Sequence, residues 1–309
     1  KTPRSAIAAM GRGPPILRLR GSLSDEFLPD SLPAGTVRDK AIPPIPAILQ
    51  GNGGRRVDVV QDDGVTSEVS LMFSGGVDST TAALELARRH GTVHLLTYRN
   101  GYGHYKLERT RRRVRELRRV AGDHFVHTLE SVQELFELLV IDQLRDEYRR
   151  YRSGFIWCLG CKMAMHTRSI LYNLEHGIRV MSDGSSRSTG EMVEQSLLSL
   201  YLFREFYGEY GIEFKTPVYT IPREEEIARL KAQGFRMGIR IRDRFLGVQP
   251  KCRPGELYYL PFLIFDQPPR HDEERVAEFI DAKRQVARAY IERTCRERGL
   301  PTTLATGTD

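Results

Sequence analysis

Cysteine is scarce, with four in 309 residues. So few thiols in so long a chain do not form a disulfide framework, which leaves metal binding, chemistry or core packing. No run of eighteen apolar residues occurs, and no basic–apolar–small leader opens the chain, so a soluble, cytoplasmic protein without membrane contact is expected. Internal repeats and low-complexity tracts are also missing. Neither sign of charge dominates: 47 Lys and Arg against 40 Asp and Glu give a net +7, a modest lean toward a polyanionic partner. Periodicity is absent from residues 1–66, which carry Pro14-Pro15, Pro29, Pro33, Pro43-Pro44, Pro46 and Gly51-Asn52-Gly53-Gly54. This stretch is expected to be an irregular N-terminal arm.

Order begins beyond it. Apolar strand candidates at 69–73, 92–98, 124–129, 178–183 and 213–218 alternate with helical stretches at 77–90, 105–121, 131–151, 162–176, 190–207 and 221–233. The alternation predicts an α/β domain over 67–265, a parallel sheet with helices on both faces. Its ligands are expected along the C-terminal edge of the strands. Residues 266–309 are expected to hold a C-terminal helix, 272–298, with Val276, Phe279, Ile280, Ala287, Ile291 and Cys295 at helical spacing. It reads as a cap or a homodimer element, followed by a loose tail from Pro301.

The most informative stretch is Ser74-Gly75-Gly76-Val77-Asp78-Ser79-Thr80, which follows the first apolar strand and runs into a helix. Adjacent glycines let several N–H groups turn toward one point, and the helix adds free amides and the positive end of its dipole. Such a turn suits phosphate or pyrophosphate. Ser74, Ser79 and Thr80 add hydroxyls, while Asp78 either holds a Mg²⁺ or orients the loop.

The Gly-x-x-x-x-Gly-Lys-Ser/Thr loop of ordinary nucleotide triphosphatases is absent. The segment instead resembles the Ser-Gly-Gly-x-Asp-Ser/Thr loop of the PP-loop, or N-type ATP pyrophosphatase, superfamily, with its adenine nucleotide alpha hydrolase-like fold. The resemblance implies that ATP is cleaved between its α- and β-phosphates to adenylate a substrate. It also implies that the adenine lies against backbone groups near Leu96 and Thr97.

Cys158-Leu159-Gly160-Cys161 reads as a turn before a helix, with two thiols on one side. Cys252 lies in the Pro-flanked stretch Gln249-Pro250-Lys251-Cys252-Arg253-Pro254. Three thiolates suit a cubane cluster with one open iron, or zinc completed by His166 or Cys295; Cys295 itself reads as core. The order of loop, central cysteine pair, the Ile221-Pro222-Arg223-Glu224-Glu225 helix start and a late single cysteine resembles the tRNA 2-thiolation branch of the superfamily. That likeness implies a 4Fe–4S cluster on Cys158, Cys161 and Cys252, with sulfide delivered to the adenylated carbon. A sulfur donor and a tRNA or nucleobase-type acceptor go with it. Where that branch carries two acids after the fourth strand, this chain has Ser182-Asp183-Gly184-Ser185-Ser186-Arg187-Ser188, with one.

Asp183 is a candidate for Mg²⁺ or substrate protons, and Lys162 for stabilising developing phosphate charge from a helix start. Asn100-Gly101-Tyr102-Gly103-His104 is read as a loop that closes over ATP or a simple turn. Lys106, Arg109, Arg111, Arg112, Arg113, Arg115, Arg118 and Arg119 crowd one predicted helix and form either an RNA-phosphate face or a solvated surface. The leading reading is an ATP-dependent sulfur transferase. An amide- or nitrile-forming PP-loop ligase similar to 7-deazaguanine nitrile synthases, with structural Zn²⁺, and a non-catalytic RNA-binding scaffold are the alternatives.

Overall fold

In a computed structural model, residues 68–236, 251–265 and 270–305 are described. The expected arm at 1–66 lies outside them, as do Gln249 and Pro250. Five strands form one parallel sheet: β1 (Glu68–Met72), β2 (Thr92–Arg99), β4 (Phe125–Ser131), β5 (Val180–Ser182) and β6 (Glu213–Lys215). Their spatial order is β4-β2-β1-β5-β6. The chain builds outward from β1 to one side, then crosses back to build the other. The C-terminal end of β1 is therefore the switch point of the sheet, where the crevice opens.

Both faces are covered, as expected. Val69 and Leu71 of β1, and Phe73 just after it, enter an apolar cluster with α1 (Val77–Ala87), α2 (Arg109–Ala121) and α7 (Arg223–Ala232). Met72 enters the other cluster, beside α5 (Phe155–His176), α6 (Leu197–Gly208) and the terminal helix α10 (Glu273–Arg298). A strand buried on both faces needs apolar residues of both parities, which is why β1 reads as a continuous run. Its buried polar member, Ser70, donates to Asn173 Oδ1 at 2.6 Å.

Several element boundaries differ from expectation, and each difference has a packing cause. The 131–151 helix is three segments: α3 (Gln133–Phe136), a π-helical turn (Glu137–Ile141) and α4 (Leu144–Tyr151). The cysteine pair is not a turn, because α5 already begins at Phe155. Gly160 sits inside that helix to admit a neighbour, since a Cβ there would lie 2.5 Å from Val140. The start of the 105–121 helix is a short strand instead. This β3 (His104–Tyr105) pairs antiparallel with β7 (Lys251–Cys252), which leads into α8 (Arg253–Tyr258) and α9 (Leu260–Phe265).

Helix α10 is part of the core rather than an appended cap, with Val276, Phe279, Ile280, Ala287, Ile291 and Cys295 all buried. The tail beyond Pro301 is tied down as far as it is described, because the Leu304 amide donates to the Tyr210 carbonyl at 2.9 Å. No helix among the described residues is long and apolar enough to cross a membrane.

Candidate functional site

The phosphate loop connects β1 to α1. Gly75 has φ +70°, a conformation that L side chains rarely adopt, and Gly76 is the extended residue before α1. No side chain caps α1, so its first amides stay available to a ligand. The hydroxyls shape the turn: Ser74 Oγ lies 3.1 Å from Ser79 Oγ and accepts the Gly76 amide at 3.3 Å. Thr80 Oγ1 donates to the Gly76 carbonyl at 2.5 Å.

Two arginines brace the loop from outside. Buried Arg113 donates from Nε to the Gly75 carbonyl at 3.3 Å and pairs with Glu116 at 2.7 Å. Arg223, the first residue of α7, pairs with Asp78. Beneath them, Glu226 is fully buried, with its Oε2 3.9 Å from Arg223 Nη1. Its pKa is held well above the usual carboxylate range by burial first, then by the hydrogen bond and charge of Asp78, against the pull of Arg223 and Arg229. Sequence reading missed the roles of Arg113, Arg223 and Glu226. The first was counted among surface charges, and the other two lie at or beside the quoted Ile-Pro-Arg-Glu-Glu start.

Lys162 and Asp183 meet each other: Lys162 Nζ lies 2.9 Å from Asp183 Oδ2. Asp183 is buried and also accepts the Ser185 amide and hydroxyl, each at 2.9 Å. Three donors fix this carboxylate, so it anchors Lys162. Because α5 begins earlier than expected, Lys162 stands two turns into the helix rather than at its start. The next residue, Gly184, packs directly on the phosphate loop; a Cβ there would lie 2.7 Å from Ser79 N and Cα. Leu96 and Thr97 line the β1–β2 seam. The Leu96 carbonyl accepts the Phe73 amide at 2.8 Å, and Thr97 Oγ1 donates to the Phe73 carbonyl at 2.7 Å.

The fold brings the three expected cysteines together. Cys158 and Cys161 stand one turn apart on α5, and the β3–β7 pairing carries Cys252 over them. The point a Cβ on Gly255 would occupy lies 3.7 Å from both Cys158 Sγ and Cys252 Sγ. Burial raises all three thiol pKa values, that of Cys161 to about 12. The neighbouring thiols and Glu194 add to the rise at Cys158, so a cation would relieve mutual repulsion as they deprotonate. Asn100 Nδ2 donates to Cys161 Sγ at 3.3 Å. Burial raises the Cys252 pKa, against smaller lowering by hydrogen bonds from the Gly255 backbone and then the Trp157 indole N–H.

Soft sulfur donors and a side chain-free gap at Gly255 fit a thiophilic metal group. Still, among the described residues no three His, Cys, Asp or Glu side chains are drawn onto a single metal position. Neither proposed fourth ligand is available. His166 is buried against Phe203 with Nδ1 2.9 Å from Tyr207 Oη, and Cys295 lies in the α10 core. The 100–104 loop, read as an ATP flap or turn, packs on the thiols through Asn100 and His104.

Helix α2 is only partly a free cationic face. Arg118 donates to the Phe125 carbonyl at 2.9 Å and Arg119 to the Gly234 carbonyl at 3.1 Å. Arg112, Arg115, Glu116, Arg119 and Arg236 line an open cleft of about 410 Å³.

No protein-family model and no curated protein matches the sequence. Solved structures do match. One is a 4-thiouridine synthetase–RNA complex with bound ATP, at 16% identity and TM-score 0.47 over 72% of this chain and 54% of that one. This chain thus spans about half the length of that protein. Another is a predicted subunit of tRNA methyltransferase from Methanocaldococcus jannaschii, at 16% identity and TM-score 0.35 over 53% of this chain and 74% of that one. Likeness this distant assigns no activity to this chain.

Proposed function

We propose that the chain is an ATP-dependent, AMP- and pyrophosphate-forming sulfur transferase acting on a carbonyl-type acceptor, a tRNA base. One observation carries the reading. The phosphate loop and the three thiols share one sheet edge and are joined by a continuous path, from Ser79 to Gly184, Asp183, Lys162 and Cys161.

Ser74, Gly75, Gly76, Ser79 and Thr80 receive the β- and γ-phosphates of ATP with its Mg²⁺, and Leu96 and Thr97 wall the adenine. Asp78 holds Arg223 at the phosphate end. Lys162, steadied by Asp183, faces the α-phosphate and balances charge as the acceptor oxygen attacks phosphorus and pyrophosphate departs. The acceptor then carries AMP, a far better leaving group than a bare carbonyl oxygen. Sulfide forms the new C–S bond, and the C–O electron pair leaves with AMP. Cys158, Cys161 and Cys252 would hold the 4Fe–4S cluster, which when bound would deliver sulfide taken from a separate sulfur donor. The exposed arginines of α2 are the surface offered to RNA phosphates.

Pyrophosphate release tests the reading. Asp78→Ala and Ser74→Ala should each abolish release from ATP in a folded protein. Release at the parent rate by either variant would refute it. A brown protein with iron and labile sulfide after anaerobic purification favours the transferase; a colourless one with zinc favours the ligase.

A further inference from the structure

Helix α2 carries one arginine that turns away from the solvent its neighbours share. Arg113 is 1% exposed, and its guanidinium is engaged in three directions. Nε donates to the Gly75 carbonyl at 3.3 Å, Nη1 pairs with Glu116 Oε2 at 2.7 Å, and Nη2 donates to the Arg236 carbonyl at 3.4 Å. The first bond acts on the softest point of the phosphate loop. The peptide between Gly75 and Gly76 has no Cβ on either side, so little resists its rotation. It is trans, so a Gly75 carbonyl held toward α2 keeps the Gly76 amide turned into the loop, where it meets Ser74 Oγ at 3.3 Å.

The other two bonds end at the wall of the cationic cleft. Glu116 and Arg236 line it together with Arg112, Arg115 and Arg119. Four arginines thus face one carboxylate, and that carboxylate is divided, because its Oε1 also lies 3.7 Å from Arg112 Nε. Among the described residues the lining holds no aromatic ring, so the cleft suits backbone phosphate rather than a base. A phosphate there draws Arg112 and Arg236 toward itself. Glu116 is then left to Arg113, and the turn whose Arg236 carbonyl accepts Arg113 is pinned. Both changes press the Arg113 guanidinium onto Gly75.

We propose that RNA phosphate seated in this cleft tightens ATP binding at the loop, with Arg113 as the positioning residue that links the two. The proposal rests on the reading above, in which α2 meets RNA, and deepens it: arrival of the acceptor prepares the loop for ATP. The link needs a guanidinium, since a lysine ammonium has the charge but not the planar fork that serves three partners. An Arg113 that merely supported the fold would not make ATP affinity depend on RNA.

The full chain is titrated with α,β-methylene-ATP, which cannot be cleaved at the proposed bond, with and without saturating bulk tRNA. The parent should bind the analogue at least about fivefold more tightly when tRNA is present, and the analogue should tighten tRNA binding by the same factor. In Arg113→Lys that dependence should vanish while tRNA still binds. Glu116→Gln serves if the lysine variant misfolds; it keeps the shape, lacks the charge that holds Arg113, and should also lose the dependence. The parent alone is already decisive. Bound tRNA with no change in analogue affinity would overturn the proposal and leave the RNA reading intact. A dependence that survives in folded Arg113→Lys would do the same. A parent that binds the analogue but no tRNA would overturn the RNA reading as well, and one that binds no analogue would overturn the ATP reading with the proposal.

Discussion

The phosphate loop and the thiol site sit on the same edge and are built in opposite ways. The loop is local. The hydrogen bonds within it join residues at most five apart, as between Ser74 and Ser79 or Gly76 and Thr80, with Arg113, Gly184 and Arg223 bracing it from outside, and the groups it offers are mainly backbone amides. The thiol site is assembled from three distant segments, around Asn100 to His104, Cys158 to Cys161 and Cys252 to Gly255. Its ligand groups are side chains. A backbone-built site tolerates many side-chain changes but not a shifted backbone. A side-chain-built site fails with one atom and leaves the backbone alone.

The largest effect that tests this contrast is at Cys252. Cys252→Ala should lose most bound metal and all sulfur transfer, while ATP affinity stays near that of the parent. Cys295→Ala, deep in the α10 packing, should keep metal and activity and lose only modest stability. Metal analysis and ATP titration of both variants check this. Metal retained by Cys252→Ala and lost by Cys295→Ala would mean the wrong thiols had been assigned.

The converse disturbance should spare the thiols. Gly184→Ala would place a methyl 2.7 Å from Ser79 N and Cα, and these are backbone atoms with little room to yield. ATP affinity should fall tenfold or more, about 1.4 kcal/mol per decade, with metal content unchanged. Gly208→Ala is the control, since nothing lies within 4 Å of the added carbon. Equal ATP affinity in the two variants would show that the loop does not depend on Gly184.

The contrast also explains what could be read beforehand. Ser74 to Thr80 announced itself because its structure is its sequence: a strand, two glycines and a helix start. The alternation of β1 to β6 was legible for the same reason, although β3 was mistaken for the first turn of a helix. Its strand character comes from pairing with Lys251 and Cys252, not from its own residues. Cys158 and Cys161 were taken for a turn because the helix was expected to start only at Lys162. Gly160 instead makes room for Val140, contributed by a different segment. Cys252 was grouped with them on its Pro-flanked stretch and on the resemblance. Arg113 was counted as surface charge, since nothing in a row of arginines says which one turns inward.

Asp78 is where the local loop reaches outward, through Arg223 and Glu226, and the pH dependence of stability measures that tether. The Glu226 carboxyl, near 4.5 when unfolded, is held well above that in the fold, mainly by burial and then by Asp78. Between those two values the native state binds more protons than the unfolded chain, so unfolding free energy falls as pH rises. The stabilisation is complete below the unfolded value and is lost as pH climbs through the folded one. The rise is already net of the pull of Arg223 and Arg229, so each pH unit between the two values removes up to about 1.4 kcal/mol. Glu226→Gln keeps the shape and a hydrogen-bond donor toward Asp78 but cannot ionise. Thermal unfolding from pH 5 to 8 should therefore slope downward in the parent and run flatter in the variant. Parallel curves would mean that Glu226 is already ionised in the fold, and that Asp78 is held by Arg223 alone.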